Sequence, residues 1–152
     1  MLGPVTILLA AWAAAPVAST DVDHLKAEVI AVTAREQSLH LEFRVINEGD
    51  DPIDASSLFA ANRGADRGSV SGVRLFPGAK RGGASPLRGD GGACACSRGV
   101  TEILACWHLD LEADFPLPPT MPRAVTVAIP HFPPIRKIAI EEPRVAVWDR
   151  PR

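Results

Sequence analysis

The feature that most constrains this fold is a strict alternation of apolar and polar residues at two places in the chain. Residues 39–45 read LHLEFRV, and residues 103–115 repeat the pattern over a longer stretch, ILACWHLDLEADF. Successive side chains of a β-strand point to opposite faces, so such an alternation indicates a strand with one face on a core and one in solvent. The chain is therefore predicted to be built on sheets that are apolar on one side only.

Shorter runs of the same kind predict further strands. They lie at residues 26–34, 53–60, 70–76, 124–129 and 135–140. Turns rich in Gly, Pro, Asn and Asp separate them, and no window beyond residue 19 carries a helical period. We therefore predict an all-β, immunoglobulin-like β-sandwich of about seven to eight antiparallel strands, with Trp107 as a core aromatic side chain on a central strand.

The amino-terminal segment has the composition of an export signal. Residues 2–19 contain no charged side chain, and an apolar run at 5–15 is followed by Pro16 and three small residues. This order is typical of a signal peptide, with cleavage expected after Ser19. An uncleaved anchor is the alternative, but the run is shorter than the roughly 20 residues that a membrane span needs. We expect a signal-peptide helix at 1–19, a β-sandwich domain at 20–142 and a flexible tail at 143–152.

Composition and charge exclude several classes of function. The net charge is -2 and the basic residues are scattered among acids, without the basic stripe that nucleic-acid binding needs. The sequence has no phosphate-binding loop, no nucleophile elbow and no HExxH zinc motif. We therefore expect no enzyme activity, no cofactor and no nucleic-acid partner.

The three cysteines, Cys94, Cys96 and Cys106, are the most informative local feature. Thiols of exported proteins tend to be oxidised, and residues i and i+2 of an extended chain project to the same side. The sequence favours a disulfide, either Cys94–Cys96 or a bond from one of these to Cys106, which leaves one odd thiol. Two alternatives stay open: a redox-active dithiol, and a soft-metal site for Cu(I) or Zn that uses two or three of the thiolates.

A ladder of polar residues marks the outward face of the second alternating segment. It consists of His108, Asp110, Glu112 and Asp114, while His40 and Glu42 face outward on the first segment. Carboxylates and imidazoles arranged in this way could bind a divalent cation. Polar residues also alternate with apolar ones on any solvated strand face, and we expect that simpler situation here, without a metal.

Several short motifs, taken in order, resemble a group of exported actinobacterial proteins. They are SGVRL at 71–75, PLR at 86–88, CACS at 94–97 and IPHFPP at 129–134, together with RVINEG at 44–49 and FPLPP at 115–119. The resemblance spans most of residues 26–140. Members of that group look like immunoglobulin-like domains, which occur alone or before an OmpA-like peptidoglycan-binding domain. The resemblance implies the same fold and a place at the cell envelope, and it implies no activity.

These observations lead to one expected function and one alternative. We expect a secreted, non-catalytic β-sandwich module that acts as a binding or structural component at the cell envelope. Its partner would be a protein or a cell-wall ligand, with no membrane association after signal cleavage. The alternative is a thiol-based redox or soft-metal protein that uses Cys94 and Cys96, with or without Cys106.

Overall fold

The structure is a computed structural model that describes residues 22–78 and 82–143 in full, and residues 17–19 by their backbone. Within this part of the chain it contains nine strands and one single-turn 3-10 helix, Asp90–Gly92. The strands are β1 Val17–Ser19, β2 Leu25–Ala34, β3 Ser38–Asn47, β4 Ile53–Asp54, β5 Arg74–Phe76, β6 Glu102–Ile103, β7 His108–Pro116, β8 Ala124–Ala128 and β9 Ile135–Glu141.

Most of these strands belong to one curled sheet. Six of them follow in the order β5-β8-β9-β2-β3-β7, β1 pairs with β2 as a branch, and β4 and β6 form a separate two-stranded sheet. The all-β, sandwich-like fold is thus confirmed. The sheet is mixed rather than purely antiparallel, because β9 joins β2 through the parallel pairs Val32–Ile140 and Thr33–Glu141.

The core lies inside the curl of the sheet. On β3 and β7 the apolar positions of the two alternating segments point inward, and Phe43 lies opposite Val29 on one side and Leu111 on the other. Leu75 and Val127, from β5 and β8, belong to the same buried cluster. Burying a side chain such as Phe43 stabilises the fold by about 1.5–3 kcal/mol. The core therefore joins the β2-β3-β7 part of the sheet to the β5-β8-β9 part.

Two predicted strands are much shorter in the structure. Within 53–60 only β4 forms a strand, and within 70–76 only β5 does. Turns at residues 56–58 and 71–72 interrupt the rest of the two segments. The Gly72 amide donates to the Phe59 carbonyl at 2.8 Å. A Cβ atom at Gly72 would lie 2.7 Å from that oxygen, so this close approach of two loops requires glycine.

The prediction that Trp107 belongs to the core is wrong. The strand begins only at His108, and the backbone before it turns at Cys106, which has a φ of 56°. This turn interrupts the strand although apolar and polar residues continue to alternate in the sequence. The Trp107 side chain is consequently exposed rather than buried.

The predicted signal peptide and tail lie almost entirely outside the described residues. Of the segment 1–19, only β1 is described, and its backbone pairs antiparallel with β2, with Ala18 opposite Ala27. Cleavage after Ser19 stays a prediction. In the described part of the chain, no helix is long and apolar enough to span a membrane.

Candidate functional site

Two loops meet at the end of the sheet where β3 finishes and β7 starts, and residues 47–51 and 103–107 are together called the loop end below. The fully buried Asn47 side chain joins them. Its Nδ2 donates to the Asp51 carbonyl at 2.8 Å and to the Ile103 carbonyl at 3.0 Å, and its Oδ1 accepts from the Gly49 amide at 2.9 Å. The Asn47 backbone amide donates to the Trp107 carbonyl at 2.8 Å. Because both polar atoms of the buried amide have partners, the network holds the two loops in one arrangement.

The loop end exposes two large apolar side chains. Leu104 and Trp107 are the first and last residues of one turn, closed by a 3.2 Å hydrogen bond from the Trp107 amide to the Leu104 carbonyl. Their exposed fractions are 53% and 57%. The Trp107 ring stacks on the His108 ring, with centroids 5.8 Å apart and planes 11° from parallel. The turn therefore presents an aromatic side chain to solvent on a backbone that is firmly held.

The segment around Cys94 and Cys96 covers the outer edge of β7. Cys94 and Cys96 form a disulfide, with Cα atoms 5.2 Å apart. The Ala95 carbonyl, between the two cysteines, accepts from the Asp114 amide at 2.8 Å, and the Ser97 amide, just after them, donates to the Glu112 carbonyl at 2.8 Å. The disulfide thus secures a short extended segment along a strand that would otherwise present unpaired backbone groups at the edge of the sheet.

Cys106 lies apart from this disulfide. Of the pairings that the sequence left open, the structure has Cys94–Cys96, and Cys106 is free and exposed with its Sγ 3.6 Å from the Gly49 carbonyl oxygen. Cys96 lies opposite Ala113, whereas Cys106 precedes the first residue of β7. A rise of about 3.3 Å per residue separates His108 from Ala113 by about 17 Å along the strand. The Cys106 thiol is therefore far from the Cys94–Cys96 disulfide along the direction of β7.

The outward face of the β3–β7 pair carries most of the remaining polar candidates and is called the charged face below. It consists of His40, Glu42 and Arg44 of β3 and His108, Asp110, Glu112 and Asp114 of β7. The register sets His40 opposite Asp114, Glu42 opposite Glu112, and Arg44 opposite Asp110. Arg44 makes a bidentate ion pair with Asp110, at 2.6 Å and 3.2 Å. This hydrogen bonding holds the pKa of Asp110 below its usual range, although desolvation opposes it.

His40 differs from every other residue of the charged face because its side chain is only 5% exposed. Its Nδ1 lies 2.7 Å from Asp114 Oδ1. Its Nε2 is buried and has no hydrogen-bond partner among the described residues. Two carboxylate oxygens lie within 4.0 Å of Nε2: Glu112 Oε2 at 3.4 Å and Glu42 Oε1 at 3.7 Å. The outward direction of His40 agrees with the sequence pattern, but its burial and its carboxylate neighbours do not follow from that pattern.

A groove near the end of β7 offers apolar contact of a different kind. It is lined by Leu75, Ala84, Leu117, Thr120 and several prolines and glycines. A hydrolase would need a histidine near a serine or an aspartate in such a place, and none of these residue types is among the lining residues.

Comparisons with protein-family models, with curated proteins and with solved structures found no match. The fold and the disulfide therefore define the class only coarsely, as an all-β, sandwich-like domain with one Cys-x-Cys bond. The resemblance to exported actinobacterial domains stays a prediction.

Proposed function

We propose that this chain is an exported, non-catalytic binding module that binds a cell-wall polymer through its loop end. The observation that supports this proposal is the exposure of Trp107 on a loop that buried Asn47 holds in place. A side chain as large as tryptophan gains about 1.5–3 kcal/mol when it is buried. An exposed tryptophan is therefore a candidate anchor for a ligand that would cover it.

The rigidity of the loop end supports binding rather than an incidental exposure. Ordering a flexible loop on association costs free energy, and a loop that is already ordered avoids this cost. The Gly49 carbonyl accepts from the Cys106 amide at 3.2 Å, which adds to the contacts that Asn47 makes. The loop that carries the Trp107 ring is thus held before a ligand arrives.

The size and surroundings of the patch favour a polymer of sugar rings over a folded protein. A stable protein interface buries about 800 Å² on each partner, and one turn with two exposed apolar side chains is much smaller. Glu48, Asp50 and Asp51 are exposed on the other loop of the loop end, where Glu48 makes an ion pair with Lys26 at 2.8 Å. Sugar rings present apolar C–H faces next to hydroxyl donors, which match a loop end that exposes both an aromatic ring and carboxylates.

The thiol-based alternative has less support. Cys94 and Cys96 are bonded to each other along the edge of β7, where the bond has a structural use. Cys106 lies at the loop end and does not join them.

Co-sedimentation with insoluble actinobacterial cell-wall material tests the proposed binding. The exported chain should sediment with the wall, and Trp107→Ala should weaken this binding at least tenfold. Met121→Ala is the matched control, because Met121 is another exposed apolar residue away from the loop end. Equal sedimentation of the Trp107 variant and the wild type would overturn the proposal, as would a wild type that stays in solution.

The intact mass of the exported chain, alkylated without reduction, tests export and the state of the thiols. We expect the mass to lack residues 1–19 and to carry one alkyl group, on Cys106. An uncut chain would indicate a membrane-anchored domain, and three alkyl groups would return the redox and soft-metal alternatives to consideration.

A further inference from the structure

We infer that the charged face holds a divalent transition-metal ion of the zinc class, with His40, Glu42 and Glu112 as ligands and Asp114 as a positioning residue. This inference goes beyond the proposed function and does not depend on it, because the loop end plays no part in it. It rests on the state of one buried nitrogen, on three distances and on the charge of the surrounding side chains.

The buried nitrogen is His40 Nε2. The Asp114 carboxylate is an acceptor 2.7 Å from His40 Nδ1, so we assign the ring proton to Nδ1. The lone pair then lies on Nε2, which is buried and unpartnered among the described residues. Buried polar atoms nearly always have a partner, and each exception calls for an explanation such as an ion. A carboxylate on the far nitrogen of a metal-binding histidine is the usual arrangement, since it fixes the tautomer and the ring orientation.

The distances around Nε2 fit ligation better than direct hydrogen bonding. Glu112 Oε2 and Glu42 Oε1 lie 3.4 Å and 3.7 Å from Nε2, beyond the range of a good N–H···O bond. Two ligand atoms at about 2.1 Å from a tetrahedral zinc ion are about 3.4 Å from each other. Ligand atoms of the three residues lie within 4.8 Å of one another. The side chains therefore already place their ligand atoms at a spacing that an ion could occupy after small adjustments.

The register of the two strands adds an electrostatic reason. Glu42 lies directly opposite Glu112, and like charges at opposed positions destabilise a sheet. Among the described residues, no Lys or Arg nitrogen lies within 4.0 Å of either carboxylate. Arg44, the basic residue of the charged face, pairs with Asp110 instead. Arg35 reaches only Asp114, at 3.9 Å. A divalent cation between the two glutamates would remove their repulsion.

The donor set selects the class of ion. One imidazole with two carboxylates suits zinc and its neighbours, whereas calcium and magnesium prefer oxygen ligands alone. Three protein ligands leave a fourth position on a tetrahedral ion. Glu42 and Glu112 are both exposed, so this fourth position would face solvent and accept water or an anionic group.

Isothermal titration of the full, oxidised chain with zinc chloride tests this inference. We expect one zinc ion per chain, a loss of affinity of at least tenfold in Glu112→Gln, and no displacement of zinc by a tenfold excess of calcium. Asp110→Asn is the matched control, because Asp110 lies on the same face but outside the ligand set, and it should change the affinity by less than about threefold. Glu112 is exposed, so its variant should remain folded, which thermal unfolding checks.

The role of Asp114 is tested by a readout that stability alone would not move. Asp114→Asn should weaken zinc binding by about 10- to 100-fold, the usual effect of losing such an outer partner, and Asp114→Glu should restore part of it. The ring 15N signal of His40 Nε2 should shift when zinc is added to the wild type. No zinc binding by the wild type, unchanged affinity in Glu112→Gln, or binding that disappears in Cys106→Ser would each overturn the inference.

Discussion

The two faces of the β3–β7 pair both contain buried side chains, but they bury them for different reasons. On the inward face, Phe43 lies opposite Leu111 in an apolar cluster, and the loss of contact with water is itself favourable. On the outward face, His40 is buried next to carboxylates, and its Nε2 has no hydrogen-bond partner in the part of the chain that the structure describes. The inward face needs no further partner, whereas on the outward face one buried polar atom, His40 Nε2, lacks one among the described residues. Burial alone therefore does not tell a packing position from a binding position.

Truncation of the inward face should give the largest effect on stability. Phe43→Ala should lower the free energy of unfolding by about 3–5 kcal/mol, because it removes buried area and leaves a cavity. Arg44→Ala, one residue along on the outward face, should cost at most about 1 kcal/mol, since its ion pair with Asp110 is partly exposed. Urea denaturation measures both. Equal losses would contradict the distinction between the faces.

Removal of the buried Asn47 side chain, at the end of β3, should lower the free energy of unfolding by an intermediate amount. The loss here comes from buried hydrogen bonds and not from apolar contact. Asn47→Ala leaves the Asp51 and Ile103 carbonyls without their side-chain donor, and we expect a loss of about 1–3 kcal/mol. Asn62→Ala is the control, because Asn62 makes similar local hydrogen bonds in an exposed loop. It should cost less than about 1 kcal/mol. Faster hydrogen exchange at the Cys106 and Trp107 amides should accompany the Asn47 change alone.

The opposed glutamates should give a smaller effect whose sign depends on zinc. Without metal, Glu42→Gln removes a like-charge repulsion and should stabilise the fold by about 0.2–1 kcal/mol. With zinc, the same change removes a ligand and should reduce the stabilisation that the ion provides. Thermal unfolding in a chelator and in zinc chloride separates the two cases. The same shift under both conditions would contradict a metal at this place.

The ion pair between Arg88 and Asp66, which lies outside both faces, should make the smallest contribution to the free energy of unfolding. This contribution should depend on pH. Arg88 donates to both carboxylate oxygens of Asp66, at 3.2 Å and 3.1 Å, and this hydrogen bonding holds the pKa of Asp66 below its usual range. Because the folded pKa is lower than the unfolded value of about 3.9, the stabilisation is present above that value and is lost as the pH falls through the folded pKa. The unfolding free energy of Asp66→Asn should therefore depend less on pH below about 4. An unchanged pH profile would show that the pair contributes nothing.

The sequence predicted the inward face well because strand period and burial are local properties. The alternation at 39–45 located β3 and its buried side within a few residues of the observed bounds. The inference from alternation to burial failed at Trp107. The alternation of apolar and polar residues continues through Cys106 in the sequence, but the backbone turns there. A positive φ at a non-glycine residue leaves no clear mark in the sequence.

The candidate sites depend on contacts between distant segments, which one sequence does not provide. His40 becomes a candidate ligand only because the register of β3 and β7 brings Asp114 and Glu112 to it. For Asn47, the following Gly49 indicated a turn, but the burial that makes its side chain a link between loops comes from the second loop. The sequence left the disulfide open between Cys94–Cys96 and a bond from either of these to Cys106, and the place of Cys106 in the fold decides this.

X-ray absorption spectroscopy of the zinc-loaded full chain tests the account of the outward face most directly. We expect a first shell of nitrogen and oxygen atoms at about 2.0–2.1 Å, outer-shell scattering from one imidazole, and no sulfur at about 2.3 Å. The imidazole signal should weaken in a His40→Gln variant that remains folded. A sulfur atom in the first shell, or zinc without imidazole, would show that the charged face is a solvated surface and not a metal site.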